Sequence, residues 1–256
     1  MTVRRVALIF DDRARPETTG VYCRRALASL VEVAHFHPAE LDRIPRDGFD
    51  LYLQIDDGFE YRLPPGLRPC ACWAIDTHMK FDFHRRQAAD FDFVFAAQRD
   101  GAERLRQAGI ASAQWLPLAC DPEVHRKHEV AKRYDFCFVG NVCPGDREDL
   151  VCLLQRRFRN HFVGQRYFEE MAEMYSASHV VFNRSILNDV NMRVFEALAC
   201  GSLLLTNDLA DNGQDELFRD GVHLATYRDA DDLLDKLAYY LKREDVRERI
   251  AAAGRA

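Results

Sequence analysis

"VVFNRSILNDVNMRVFEALACGSLLLTND", residues 180–208, reads as a strand, a helix and a second strand. Its two ends are short, continuously apolar runs, the pattern of strands covered on both faces. Between them Asn188 or Asp189 can cap a helix, because either side chain accepts from free backbone amides. Gly201 ends that helix. On a helical wheel Met192, Phe195 and Ala199 share one face, with Val194 and Leu198 adjoining, and this face is expected on the sheet. Glu196 lies at its edge. The helix begins at the carboxyl end of a strand, so its first amides suit an anion.

The alternation extends in both directions. Upstream, "RRVALIF", "VEVAHFH", "DLYLQID", "CACWAID", "DFVFAAQ" and "SAQWLPLA" are strand-like, separated by helical patterns such as "TTGVYCRRALASL" and "RDGAERLRQAG". At Cys120 the pattern breaks, and "CDPEVHRKHEVAKRY" is polar and contains Pro122. It restarts with "DFCFVG" and runs through "HFVG", "VVFNRS", "SLLLTND" and "VHLATY" to the helix "DADDLLDKLAYYLKRED". The expected fold is α/β, with two Rossmann-like domains whose parallel sheets face a cleft. The domains are expected at 1–121 and 132–256, with a linker at 122–131.

Composition narrows the function. The 256 residues are 48% hydrophobic and 30% charged, with a net charge of −6. That balance argues against nucleic acid as the main partner. No apolar run reaches the roughly 18 residues of a membrane helix. "MTVRRVALIFDD" lacks a signal-peptide cleavage pattern, so a cytoplasmic protein is expected. The eight cysteines include no CxxC pair and are expected in the core, not in redox or metal chemistry.

Chemistry-bearing residues fall at strand ends. Asp76, Thr77 and His78 follow "CACWAI". Asp76 and His78 can exchange hydrogen bonds and protons with a substrate, or Asp76 can cap its own turn. "DDG", at Asp56, Asp57 and Gly58, reads as a solvated turn and not as a cation site. Glu196 has two readings: an ion pair with Arg193 on the helix surface, or a carboxylate that accepts two hydrogen bonds from a ribose diol.

"NDVNMRVFEALACGSLLLT" resembles the signature of GT-B glycosyltransferases of family 4, in the branch of the CgeB-like spore-maturation proteins. "GQDELFRDGVHLATYRDADDLLDKLAYYL", "FDFVFAAQ" and "WLPLACDPEVH" extend the resemblance over most of the chain. It implies a retaining glycosyltransferase that uses a nucleotide sugar, a UDP- or GDP-sugar, as substrate and needs neither metal nor cofactor. Glu196 would hold the ribose. The motif's first glutamate falls at Asn188, where an amide both donates and accepts toward sugar hydroxyls. Asn191 and Met192 stand at the usual glycine and leucine, and their amides would meet the diphosphate. Gly140 and Asn141 of "FVGN" lie where relatives have glycine and then arginine, and Asp146 lies where they have lysine. Arg147 is one residue off, so Arg184 or Arg193 is expected to supply the cation that a leaving diphosphate needs. Asp76 and His78 would lie near the reacting sugar carbon, and Gly20 in a loop that admits acceptor or phosphate.

The implied acceptor is a glycan, a lipid or a small molecule, compatible with peripheral membrane contact but not with a transmembrane segment. The departures at Asn188 and Asn141 support one alternative, a non-catalytic nucleotide- or glycan-binding module, and a sugar epimerase of the same architecture is a third reading. Relatives end in helices that cross back to the first domain. Here the helix carrying Leu233, Leu234, Leu237 and Leu241 is expected as the last element of the second domain, with little chain after it, as in a truncated chain or an unusually short family member.

Overall fold

The computed structural model describes residues 2–14 and 17–256. The chain divides into two units, Met1–Leu118 and Ala119–Ala256. Residues 122–131, expected as a linker, count with the second unit.

In the first unit the chain runs β1 (Arg5–Ile9), α1 (Thr19–Ala28), β2 (Glu32–Phe36), β3 (Leu51–Ile55), β4 (Cys70–Ala74), α2 (Phe81–Ala88), β5 (Phe93–Ala96), α3 (Arg99–Gln107) and β6 (Ala113–Trp115). Among the described residues these strands form one sheet in the order β2-β1-β3-β4-β5-β6, and every pairing is parallel. The continuous apolar strands take the middle, since Val6 to Ile9 and all of β4 are buried. The strand order reverses between β1 and β3, where an open α/β sheet leaves its crevice.

The second unit repeats the plan with β7 (Tyr134–Val139), α4 (Asp146–Arg157), β8 (His161–Gly164), α5 (Phe168–Ser176), β9 (Ser178–Asn183), α6 (Met192–Ala199), β10 (Leu203–Asn207), α7 (Gln214–Leu217), β11 (Ala225–Tyr227), α8 (Ala230–Lys242) and α9 (Glu244–Arg255). Its sheet order is β11-β10-β9-β7-β8, again parallel throughout, with the reversal between β7 and β9. Among the described residues no helix is long and apolar enough to cross a membrane.

Several local expectations are corrected. The cap of α6 is Asn191, not Asn188 or Asp189. Residues 186–189 close a turn of their own, with the Asp189 amide on the Ile186 carbonyl, and Leu187 and Asn188 sit at φ +50° and +63°. Val190 is buried in the core, so the chain must dive before the helix can begin. The inward face of α6 is Val194, Ala197 and Leu198, with Glu196 beside them, while Met192, Phe195 and Ala199 are half-buried.

The helix with the four leucines is not the last, because α9 follows it. Arg247, 2% exposed, donates from Nη1 to the carbonyls of Tyr240 and Leu241 and so caps the end of α8. Ile250 and Ala251 bury α9 against the second unit. Cys70, Cys72, Cys137 and Cys200 are core residues as expected, but Cys152 is exposed and the other three are half-buried.

Gly20 has a packing role. A Cβ there would overlap the ring of Phe10, which is itself fully buried at the end of β1. Gly20→Ala is expected to destabilise the protein by about 1–3 kcal/mol through overpacking. In urea unfolding, combining it with Phe10→Leu should cost less than the sum of the two single changes. Strict additivity would remove the contact from the account.

Candidate functional site

The reversal between β7 and β9 gathers the polar residues of the second unit. Asn183 ends β9 with 0% exposure and organises everything around it. Its Oδ1 accepts from Arg193 Nη1 at 2.7 Å and from Asn191 Nδ2 at 3.3 Å. Its Nδ2 donates to Thr206 Oγ1 at 2.9 Å and to Ser185 Oγ at 3.3 Å. Asn191 Nδ2 also donates to Ser185 Oγ at 3.0 Å, and the Ser185 amide donates to Asn207 Oδ1 at 2.8 Å. The start of α6 is thereby tied to the ends of β9 and β10.

Two guanidinium groups lie over the same strand end. Arg193 donates from Nε to the Val139 carbonyl at 2.9 Å and lies 4.5 Å from the centroid of the Phe138 ring. Arg147 donates to the Arg184 carbonyl at 2.8 Å and to the Asn141 carbonyl at 3.1 Å. Burial, together with the charge of Arg193, lowers the Arg147 pKa. Gly140 separates β7 from this cluster. At φ +140° it takes a backbone that L side chains avoid, and a Cβ there would overlap Arg193 Nη2. Arg184 turns to Asp146, 2.9 Å away. Of the expected donor-site residues, Arg193, Arg184, Asn191, Met192, Gly140 and Asn141 are therefore brought to one strand end. Asn188 stands further along the turn, with its carbonyl held by Asn212 Nδ2 at 2.6 Å.

Glu196 is neither exposed nor paired on a helix surface. It is 8% exposed, and its Oε1 faces His125 Nε2 at 3.7 Å. Arg193 has turned its guanidinium to Val139 and Asn183. The His125 ring is 1% exposed and accepts the Asp121 amide on Nδ1, so a neutral ring carries its proton on Nε2, toward Glu196. Burial raises the Glu196 carboxyl, against the opposing charge of Arg193, to about 7.

In the first unit Asp76, Thr77 and His78 follow β4 as expected, in a turn that leads into α2. The "DDG" stretch before them is not a solvated turn. Asp57 is 4% exposed and accepts the Asp11 amide and the Tyr61 hydroxyl on Oδ2. The Asp56 carboxylate accepts the amides of Ile75 and Asp76, each at 2.9 Å, and of Gly58 at 3.0 Å, with His84 Nε2 at 3.2 Å. Burial pushes its pKa up, but His84 and the amides of Asp76 and Gly58 outweigh that and hold it down at about 2. Burial lowers the pKa of His78, against the carboxylates of Asp76, Asp100 and Asp56. Among the described residues no group of three or more His, Cys, Asp or Glu side chains could hold a metal ion.

Sequence reasoning missed Asn183, Asp56, His84 and His125, and gave Arg147 too little weight. The available signal was a polar residue at the last position of an apolar strand, as in "VVFN" and "YLQID".

The Glu196 value fixes a pH dependence. A carboxyl raised from 4.5 to about 7 favours the protonated folded state, so its contribution is complete below pH 4.5 and is lost as pH rises to 7. Glu196→Gln should therefore gain stability over the parent across that window, by on the order of 3 kcal/mol at pH 8. Urea unfolding of both proteins at pH 4.5 and 8 checks this. A difference that does not change with pH would place the carboxyl in an ordinary solvated setting.

A family model described as glycosyl transferase-like matches residues 124–256. No curated sequence relative matches the chain. Among solved structures, HepE from Anabaena in complex with UDP and glucose is similar at a TM-score of 0.68 and 12% identity, over 98% of this chain and 94% of that chain. An alpha-glucosyltransferase in complex with UDP and a 13-mer DNA containing an HMU base has a TM-score of 0.68 at 11% identity, over 99% and 94%. Sucrose-phosphate synthase from Thermosynechococcus elongatus has 0.66 at 12%, over 98% and 93%. These likenesses show the fold, which is GT-B, an α/β architecture of two Rossmann-like units.

Proposed function

We infer that this chain, which belongs to the glycosyl transferase-like family, transfers a sugar from a nucleotide-sugar donor to an acceptor. The observation that carries this reading is the pair of guanidinium groups, Arg147 and Arg193, gathered with the start of α6 at the β7/β9 strand ends. Phosphate binding there is the use to which open α/β sheets put such a point. The donor diphosphate meets the first amides of α6 at Met192 and Arg193, close to Gly140, whose missing Cβ keeps the backbone accessible. Negative charge grows on the diphosphate as the glycosidic bond breaks, and Arg147, Arg193 and Arg184 oppose it without a change of protonation. In this reading no ion is assigned that task.

Glu196 accepts the two ribose hydroxyls, and Asn188 and Asn191 face the sugar. Asp76 and His78 are the acceptor-side groups of the first unit, and burial favours the neutral form of His78, the form that can take a proton. The family resemblance supports a retaining course. UDP in two of the similar structures supports a UDP-sugar as the first donor to test.

Calorimetry with UDP, GDP and their common sugar conjugates tests the reading. Binding of at least one is expected. Arg147→Ala should weaken it by about tenfold to a hundredfold, the worth of a charged hydrogen bond. Glu196→Ala should cost more than the roughly 1 kcal/mol of a neutral hydrogen bond. Binding without any transfer or hydrolysis would leave a binding module, and release of an altered free sugar would indicate an epimerase. No binding at millimolar nucleotide would overturn the reading.

A further inference from the structure

The Asp56 carboxylate is 7% exposed and the His84 side chain 2%. An ionised carboxylate at that depth costs several kcal/mol unless it is fully engaged. Asp56 is so engaged, and its partners are the backbone of the turn that carries Asp76 and His78. Its Oδ2 holds the amides of Ile75 and Asp76 and faces His84 Nε2, while Oδ1 holds the Gly58 amide. The loop after β3 is thereby fastened to the loop after β4. Lys80 Nζ closes the same junction by donating to the Gly58 carbonyl at 2.6 Å. On the other side Thr77, 0% exposed, packs on Gly101 of α3, where a Cβ would overlap it. A solvated turn needs none of these restraints.

We propose that Asp56, backed by His84, is the positioning residue that sets His78 for its part in the reaction. This rests on His78 being an acceptor-side group. The carboxylate acts in two ways. It fixes the backbone from which His78 projects, and it is one of the charges His78 meets, along with Asp76 and Asp100 and in opposition to His84.

Asp56→Asn keeps the size and one acceptor oxygen but removes the charge. Histidine ring resonances, assigned with a His78→Gln variant, report the His78 titration without any substrate. In folded Asp56→Asn the His78 midpoint should move down, because a negative neighbour is gone. In His84→Gln it should move up, because His84 acts on His78 in opposition to the carboxylates. General loosening of the turn would not give shifts of opposite sign. Nucleotide-sugar turnover should fall by about tenfold to a hundredfold in Asp56→Asn, with donor affinity within about twofold of the parent.

Unmoved His78 midpoints in both folded variants would overturn the proposal, as would turnover equal to the parent's. If Asp56→Asn does not fold, His84→Gln decides by the same two readings. If the parent turns over no nucleotide sugar, the reading of the reaction fails, and the His78 titrations alone decide whether Asp56 and His84 set this histidine.

Discussion

The second unit depends on one buried amide. The Asn183 side chain has two acceptor lone pairs and two donor hydrogens, and all four are used, by Arg193, Asn191, Thr206 and Ser185. Its carbonyl also accepts from the Tyr227 hydroxyl at 3.1 Å. One residue thus joins β9 to β10, β11 and the start of α6. Removing both partners of either atom would strand it at 0% exposure, which costs about 1–3 kcal/mol. The network therefore forms as a whole, and with it the direction of α6 and the position of the Arg193 guanidinium.

The placement of Arg193 accounts for that of Glu196. The two are three residues apart on α6, where a surface pair would contribute only a few tenths of a kcal/mol. The carbonyl of Val139, the oxygen of Asn183 and the Phe138 ring compete for the guanidinium and hold it at the strand end. Glu196 is then left to face the segment that enters the second unit. There Asp121 folds a short turn that seats His125 against the carboxyl group. A carboxyl raised by burial to about 7 can change its charge near neutral pH with little further free energy.

The first unit meets the same demand with a charge in place of an amide. Asp56 and Asp57 hold the backbone amides of neighbouring loops, and both lie at the end of β3, beside the reversal of strand order. Parallel strands all end on one side, so loops from several strands crowd there with unpaired amides. Short acidic side chains at strand ends satisfy them and make the loops rigid.

The sequence by itself determined the elements and their class. Continuous apolar runs such as "VALI" and "LLL", alternating with amphipathic stretches, admit parallel sheets covered by helices and little else. The signature from Asn188 to Thr206 pointed to the family, and the family match confirms it. Periodicity could not tell which way a side chain at the edge of a helical face would turn. Glu196 went inward, and α6 began at Met192 only because Val190 had to enter the core first. It could not separate a solvated "DDG" from a buried anchor either, because two of the amides that Asp56 holds, those of Ile75 and Asp76, are about twenty residues away in the chain. Only the tertiary structure decided these points, since burial and hydrogen-bond partners come from neighbours in space, while the spacing of residues along a chain records only the faces they share.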